Sequence, residues 1–78
     1  MTDMEQQLAA IFRAVFDLPE TKDVREVRQV NHPAWDSLAH VSLVGAIESE
    51  FGIEIDVSDS IEITSFDAAL AYLEAHAG

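Results

Sequence analysis

Asp36-Ser37-Leu38-Ala39-His40-Val41-Ser42-Leu43-Val44-Gly45-Ala46-Ile47-Glu48-Ser49-Glu50-Phe51-Gly52 is the stretch that decides how this chain folds. His40, Leu43, Val44, Ile47 and Phe51 recur at spacings of three and four, the period of one face of an α-helix. Just upstream, His32 and Pro33 mark a loop, because proline fixes its own φ and pushes the residue before it out of the helical region. Asp36 therefore falls at or beside an N-cap, Ser37 opens a helix that runs to about Glu50, and Gly52 is placed to close it in the left-handed conformation. A hydroxyl at a helix start can point outward. The unpaired backbone N–H groups beside it can receive an oxyanion or a phosphate.

On either side of this stretch the pattern stays helical. From Asp3 to Phe16, Met4, Leu8, Ile11, Phe12 and Val15 form one apolar stripe, with Thr2 or Asp3 as its cap and Leu18-Pro19 as its end. A long connection over 19–36 follows, in which Val24, Val27 and Val30 recur every third position, as in a turn of helix or an extended anchor over the core. Beyond Gly52, Ile53, Ile55 and Val57 alternate with polar residues, but no second strand exists to satisfy the backbone of a first. A loop tucking alternate side chains inward is the better reading, leading to a short helical piece around Ser58 to Glu62. A last helix begins after Thr64 or Ser65, with Phe66, Ala69, Leu70 and Leu73 on one face and Asp67 in the first turn. The pattern predicts an all-α fold: one domain over 1–78, a small four-helix bundle with a long first loop and a short third helix.

Composition narrows the function. The 78 residues contain no cysteine, so disulfides, thiolate nucleophiles and cysteine-based zinc sites are excluded. A chain this short rarely encloses a deep catalytic cleft, which points to a carrier, a binding module or an interaction domain. The formal charge is −11, and all four basic residues, Arg13, Lys22, Arg25 and Arg28, precede position 29. Nucleic acid and anionic membranes are poor partners for such a surface, while basic protein surfaces are favoured. No apolar run reaches a membrane span, and Met1 to Glu5 lack the features of a secretory signal, so a cytoplasmic monomer is expected.

With these residues in view, the chain resembles the acyl carrier proteins. Asp36-Ser37-Leu38 matches the motif on which that family carries its prosthetic arm. The likeness continues through Glu48-Ser49-Glu50-Phe51-Gly52-Ile53-Glu54-Ile55, Ile63-Thr64-Ser65-Phe66 and Ala68-Ala69-Leu70-Ala71-Tyr72-Leu73. The resemblance implies a four-helix bundle with a short third helix. It implies that a phosphopantetheinyl transferase attaches 4′-phosphopantetheine to Ser37, flanked by Asp36 and Leu38, and that the arm's thiol then holds a cargo as a thioester. The protein would catalyse nothing itself. It would visit enzymes of fatty-acid, polyketide or related specialised biosynthesis, docking on basic surfaces through the helix that Ser37 opens. Trp35, Val41, Glu48 and Glu50 are the docking candidates, although for Trp35 a partly buried place covering the core is the favoured reading. Many carriers of primary fatty-acid synthesis have acids at the positions of Ala39 and Ser42 here. The stretch Trp35-Asp36-Ser37-Leu38-Ala39-His40 is more similar to stand-alone carriers of specialised pathways, among them amino-acyl and peptidyl carriers.

Other chemistries fit less well. Ser37 and His40 are neighbours on a helix, but a hydrolase also needs a buried acid and an oxyanion hole. Asp56, Ser58, Ser60, Glu62, Thr64 and Asp67 fall at the ligand positions of a calcium loop, yet Ile61 stands where a glycine is required and Asp67 is too short for the twelfth place. Val44, Ile47, Ile61, Phe66 and Ala69 are candidates to line a cargo site between helices, and equally plain core residues. An acidic adaptor whose Ser37 is never modified is the reading from another class.

Overall fold

The structure is a computed structural model and describes residues 3–76. Helix α1 spans Asp3–Phe16, α2 Ser37–Phe51, α3 Val57–Ser60 and α4 Phe66–His76; a single 3-10 turn, Val24–Glu26, interrupts the first connection. These four helices form the small all-α bundle that the hydrophobic periodicity predicts. Thr2, one of the two proposed caps of α1, lies outside the described residues. No helix among the described residues is long and apolar enough to cross a membrane.

Helix ends follow local chemistry. Asp17, just past α1, takes a left-handed conformation with φ 53°, and Leu18 N donates to Arg13 O at 2.9 Å to close the last turn. Gly52 does the same for α2 at φ 65°, where both Gly52 N and Ile53 N donate to Glu48 O. Ser65 caps α4, its Oγ accepting from Ala68 N at 3.1 Å. The long connection is also well anchored. Val24 and Val27 are buried, Asp23 Oδ1 caps the 3-10 turn through Arg25 N, and Gln29 N donates to Thr64 O at 3.0 Å. Arg25 ties the loop to two helices, donating to Glu5 at 2.9 Å, pairing with Asp67, and lying 5.0 Å from the centre of the Phe66 ring.

The core is built from α1, α2 and α4 around an aromatic cluster. Phe12 is fully buried and sits edge-on to Phe66 at 5.3 Å and to Trp35 at 5.7 Å, with Phe16 at 5.7 Å on its own helix. Two parts of the sequence reading are corrected here. Val30 does not continue the anchor of Val24 and Val27 but is 91% exposed, because the chain turns outward after the Arg28–Ser65 bridge. Val57 does not tuck in behind Ile55 either: it opens α3, which begins one residue earlier than expected and buries no side chain, leaving Val57 80% exposed.

Tyr72, half-buried on α4, reaches across to α3, its hydroxyl donating to Asp59 Oδ2 at 3.1 Å. Its pKa lies above the ordinary 10.0, chiefly because burial disfavours the phenolate, then because Asp59 accepts its proton and the charges of Asp59, Asp56 and Glu48 repel a negative oxygen. A raised folded-state pKa means the bond stabilises the fold fully below the unfolded value and less as pH climbs past the folded one. Ultraviolet titration of this sole tyrosine is expected to give a midpoint above 10.0, which Asp59→Asn lowers. Phe12→Ala, which opens the centre of the aromatic cluster, is expected to cost about 3–5 kcal/mol in denaturant unfolding, enough to leave so small a domain largely unfolded.

Candidate functional site

Ser37 is the first residue of α2 and is exposed. Asp36 holds the N-cap with extended backbone, φ −96° and ψ −174°, and its Oδ1 accepts from Ala39 N at 2.8 Å. The carboxylate thus performs the capping task that a serine at a helix start would otherwise take. Among the described residues, no hydrogen bond engages the Ser37 hydroxyl. Its own N–H and that of Leu38 belong to the first turn, where no intrahelical acceptor exists. A phosphoester on Ser37 would meet these donors and the positive end of a fifteen-residue helix.

Around the serine the surface is apolar. Leu38 is 76% and Val41 67% exposed, and Val41 lies only about 40° round the helix from Ser37. The stretch Ser37–Ile47 carries no Asp, Glu, Lys or Arg. A shallow groove of ≈ 230 Å³ separates α2 from α3, with Val41, Val44, Ile55 and Val57 in its walls. The exposed Val57 and Ile61 thereby carry the apolar surface of α2 onto α3 and the turn after it, bordered by the exposed acids Asp56 and Glu62.

Of the other docking candidates, Trp35 takes the core-covering place that its sequence reading favours, and the two glutamates bond to neighbouring segments of the chain. Trp35 is buried to 4% exposure, its ring 5.0 Å from Phe16 and 5.7 Å from Phe12, so it offers no face to a partner. Burying the largest apolar side chain is what a core this small requires. Glu48 is half-buried and its carboxylate accepts from Ile55 N at 2.8 Å, stitching the chain after Gly52 back onto α2. Glu50 is exposed but lies about 220° round the helix from Ser37, where it accepts from Gln7 of α1 at 3.4 Å. The residues proposed to line an internal cargo site do not converge: Ile47, Phe66 and Ala69 are plain core, while Ile61 is 68% exposed. Of the five, only Val44 borders the groove between α2 and α3.

His40, which the helical period places on the face of α2 with Leu43 and Ile47, has bonding partners that the sequence did not show. Its Nδ1 lies 3.0 Å from Trp35 Nε1 and its Nε2 lies 2.8 Å from Ser60 O. Indole N–H only donates and a carbonyl only accepts, so His40 is neutral with its proton on Nε2. Both ring nitrogens are therefore occupied, and the ring stacks on Trp35. The Ser37–His40 pair is not a catalytic dyad. Among the described residues, no group of three or more His, Asp and Glu side chains comes together that could hold a metal, and the acids of 56–67 are spread over α3, a turn and the start of α4. No known protein-family model matches the chain.

The geometry makes His40 a brace between the loop that precedes Ser37 and the end of α3. His40→Ala leaves the Trp35 N–H without its acceptor and is expected to cost about 1–3 kcal/mol. Nitrogen NMR of the imidazole is expected to show the Nε2–H tautomer. A ring exchanging freely between tautomers would contradict the brace.

Proposed function

We propose that this chain is a carrier protein of the acyl-carrier type, modified on Ser37 with 4′-phosphopantetheine. The observation that supports it most directly is the division of labour at the start of α2, where Asp36 takes the cap and leaves the Ser37 hydroxyl exposed and uncommitted. The residues present fit the group: an accessible nucleophile, two adjacent N–H donors without helical acceptors, and a helix dipole suited to a phosphodiester. When bound, the arm supplies the thiol that a cysteine-free chain lacks.

In the loading reaction Ser37 Oγ displaces adenosine bisphosphate from coenzyme A. The Oγ–P bond forms, the pyrophosphate P–O bond breaks, and the hydroxyl proton passes to a base of the transferase. Asp36, held by Ala39 N, keeps the serine at the helix start during the exchange. Leu38 and Val41 flank the reacting residue and form, with Val57 and Ile61, the surface that transferase and cargo enzymes cover. An apolar centre rimmed by Asp56 and Glu62 suits a partner with an apolar socket and a basic margin. The uncharged run Ser37–Ile47 supports a specialised pathway over a primary one, with an amino-acyl or peptidyl cargo as the second reading.

Incubation with coenzyme A, magnesium and a promiscuous phosphopantetheinyl transferase is expected to add the mass of one phosphopantetheine. Ser37→Ala is expected to abolish the gain while shifting stability by less than about 0.5 kcal/mol, since the side chain is exposed. Val41→Asp is expected to lower kcat/KM for loading about tenfold with the fold intact. A folded protein that several active transferases leave unmodified would instead be the unmodified acidic adaptor.

A further inference from the structure

Gly45 stands in the middle of α2, and nothing in the fold requires a glycine there. Gly52 closes the helix at φ 65°, in the left-handed region that favours glycine, but Gly45 is not in that region. Nor is the position crowded: a Cβ added at Gly45 would meet nothing within 4 Å. Only proline is a poorer helix former than glycine, and alanine would fit this exposed position while favouring the helix.

Gly45 lies in the wall of the groove between α2 and α3, with Val41, Val44, Ile55 and Val57. The polar residues of that groove are engaged within the fold. Both ring nitrogens of His40 are occupied, Glu48 accepts from Ile55 N, and Ser60 Oγ donates to Val57 O at 2.8 Å. What the groove offers a visitor is therefore mainly apolar, and the missing side chain of Gly45 keeps it open. Its volume, ≈ 230 Å³, lies below the roughly 300–1,000 Å³ of small-molecule sites and suits one large side chain.

Gly45 is also within reach of an enzyme that acts on Ser37. Its place in the sequence puts it about 12 Å further along α2 and about 80° round the helix, with the exposed Val41 midway. A standard interface covers about 800 Å² of each partner, a patch about 30 Å across, so one centred near Ser37 takes in Gly45.

We propose that Gly45 is a specificity-determining residue: its missing side chain opens a socket between α2 and α3 for one bulky apolar side chain of the phosphopantetheinyl transferase. The inference rests on the carrier reading above. Charge favours this occupant over a second copy of the chain. A net charge of −11 repels a like molecule, whereas Asp56 and Glu62 beside the groove draw a partner with a basic margin. A single large side chain that fills such a socket and excludes water is the kind of contact that carries most of an interface's affinity.

The test compares loading of the full chain and of its variants by a phosphopantetheinyl transferase, with coenzyme A saturating and the carrier varied. Gly45→Ala is expected to raise the melting midpoint by about 3–8 °C, because it favours the helix without a clash. The same variant is expected to raise KM for the carrier about threefold, and Gly45→Leu about tenfold, with kcat unchanged. A carrier made more stable yet bound less well separates a docking role from a structural one. Ala75→Leu, which adds a similar side chain to an exposed position of α4, is expected to load as the unaltered chain does. Variants at Gly45 that keep the original KM, or lower it, would overturn the socket and leave the carrier reading standing. Faster alkylation of the arm thiol in loaded Gly45→Leu, with KM unchanged, would overturn it by assigning the groove to the arm. A dimer that Gly45→Leu dissociates would overturn it by assigning the groove to a second copy. Absence of any mass gain in the unaltered chain would overturn socket and carrier alike.

Discussion

Everything near Ser37 depends on the burial of Trp35. Its indole packs on Phe12 and Phe16 of α1, and its N–H is satisfied by His40 of α2. A tryptophan carries a large apolar surface and one polar atom, and the fold finds a place for both. Because Trp35 lies two residues before Ser37, fixing it in the core also fixes where the first loop stops and where α2 begins. His40 extends the same constraint to α3 through Ser60 O. One aromatic side chain thereby joins α1, the loop, α2 and α3.

Apart from that brace, α3 is lightly held. It buries no residue of its own; the buried Ile55 and Ile63 on either side anchor it, and polar contacts add to them: Glu48 to Ile55 N, His40 to Ser60 O and Tyr72 to Asp59. Hydrogen bonds that cost little to exchange with water contribute less to stability than apolar burial does. The bundle is accordingly uneven, with a firm core of three helices and a fourth element pinned at its margin. Val57 and Ile61 lie exposed along that margin.

The charge pattern complements this arrangement. Arg25 draws Glu5 and Asp67 together on the far side of the core, and Lys22 pairs with Glu26 within the loop. Such exposed pairs contribute little stability singly, but here they gather much of the chain's positive charge in the first connection. The helix that begins at Ser37 is left without formal charge over its first eleven residues. On the proposed carrier reading, contact with that helix would depend first on shape and apolar fit, and only at its border on charge.

Much of this was legible in the chain because it is local. The spacing of Leu8, Ile11 and Phe12, or of Leu43 and Ile47, requires a helix face. Asp36 and Gly52 mark the ends of α2 through bonds to residues at most four positions away. Ser37 at a helix start follows from the same short-range rules. What depended on residues distant in sequence was not legible. Val30 faces water while Val24 and Val27 are buried, because the segment leading into α4 pins the loop at Thr64 and Ser65 and not because their side chains differ. Glu48 turns to the Ile55 backbone and Glu50 to Gln7, so that acids two residues apart serve different neighbours. Trp35 could cover the core or face a partner until the rings of α1 were in place to receive it. The sequence alone determined the helices and the position of the serine, since those rest on hydrogen bonds within a few residues. The tertiary structure alone decided which side chains around the serine face water, since that depends on what the rest of the chain brings beside them.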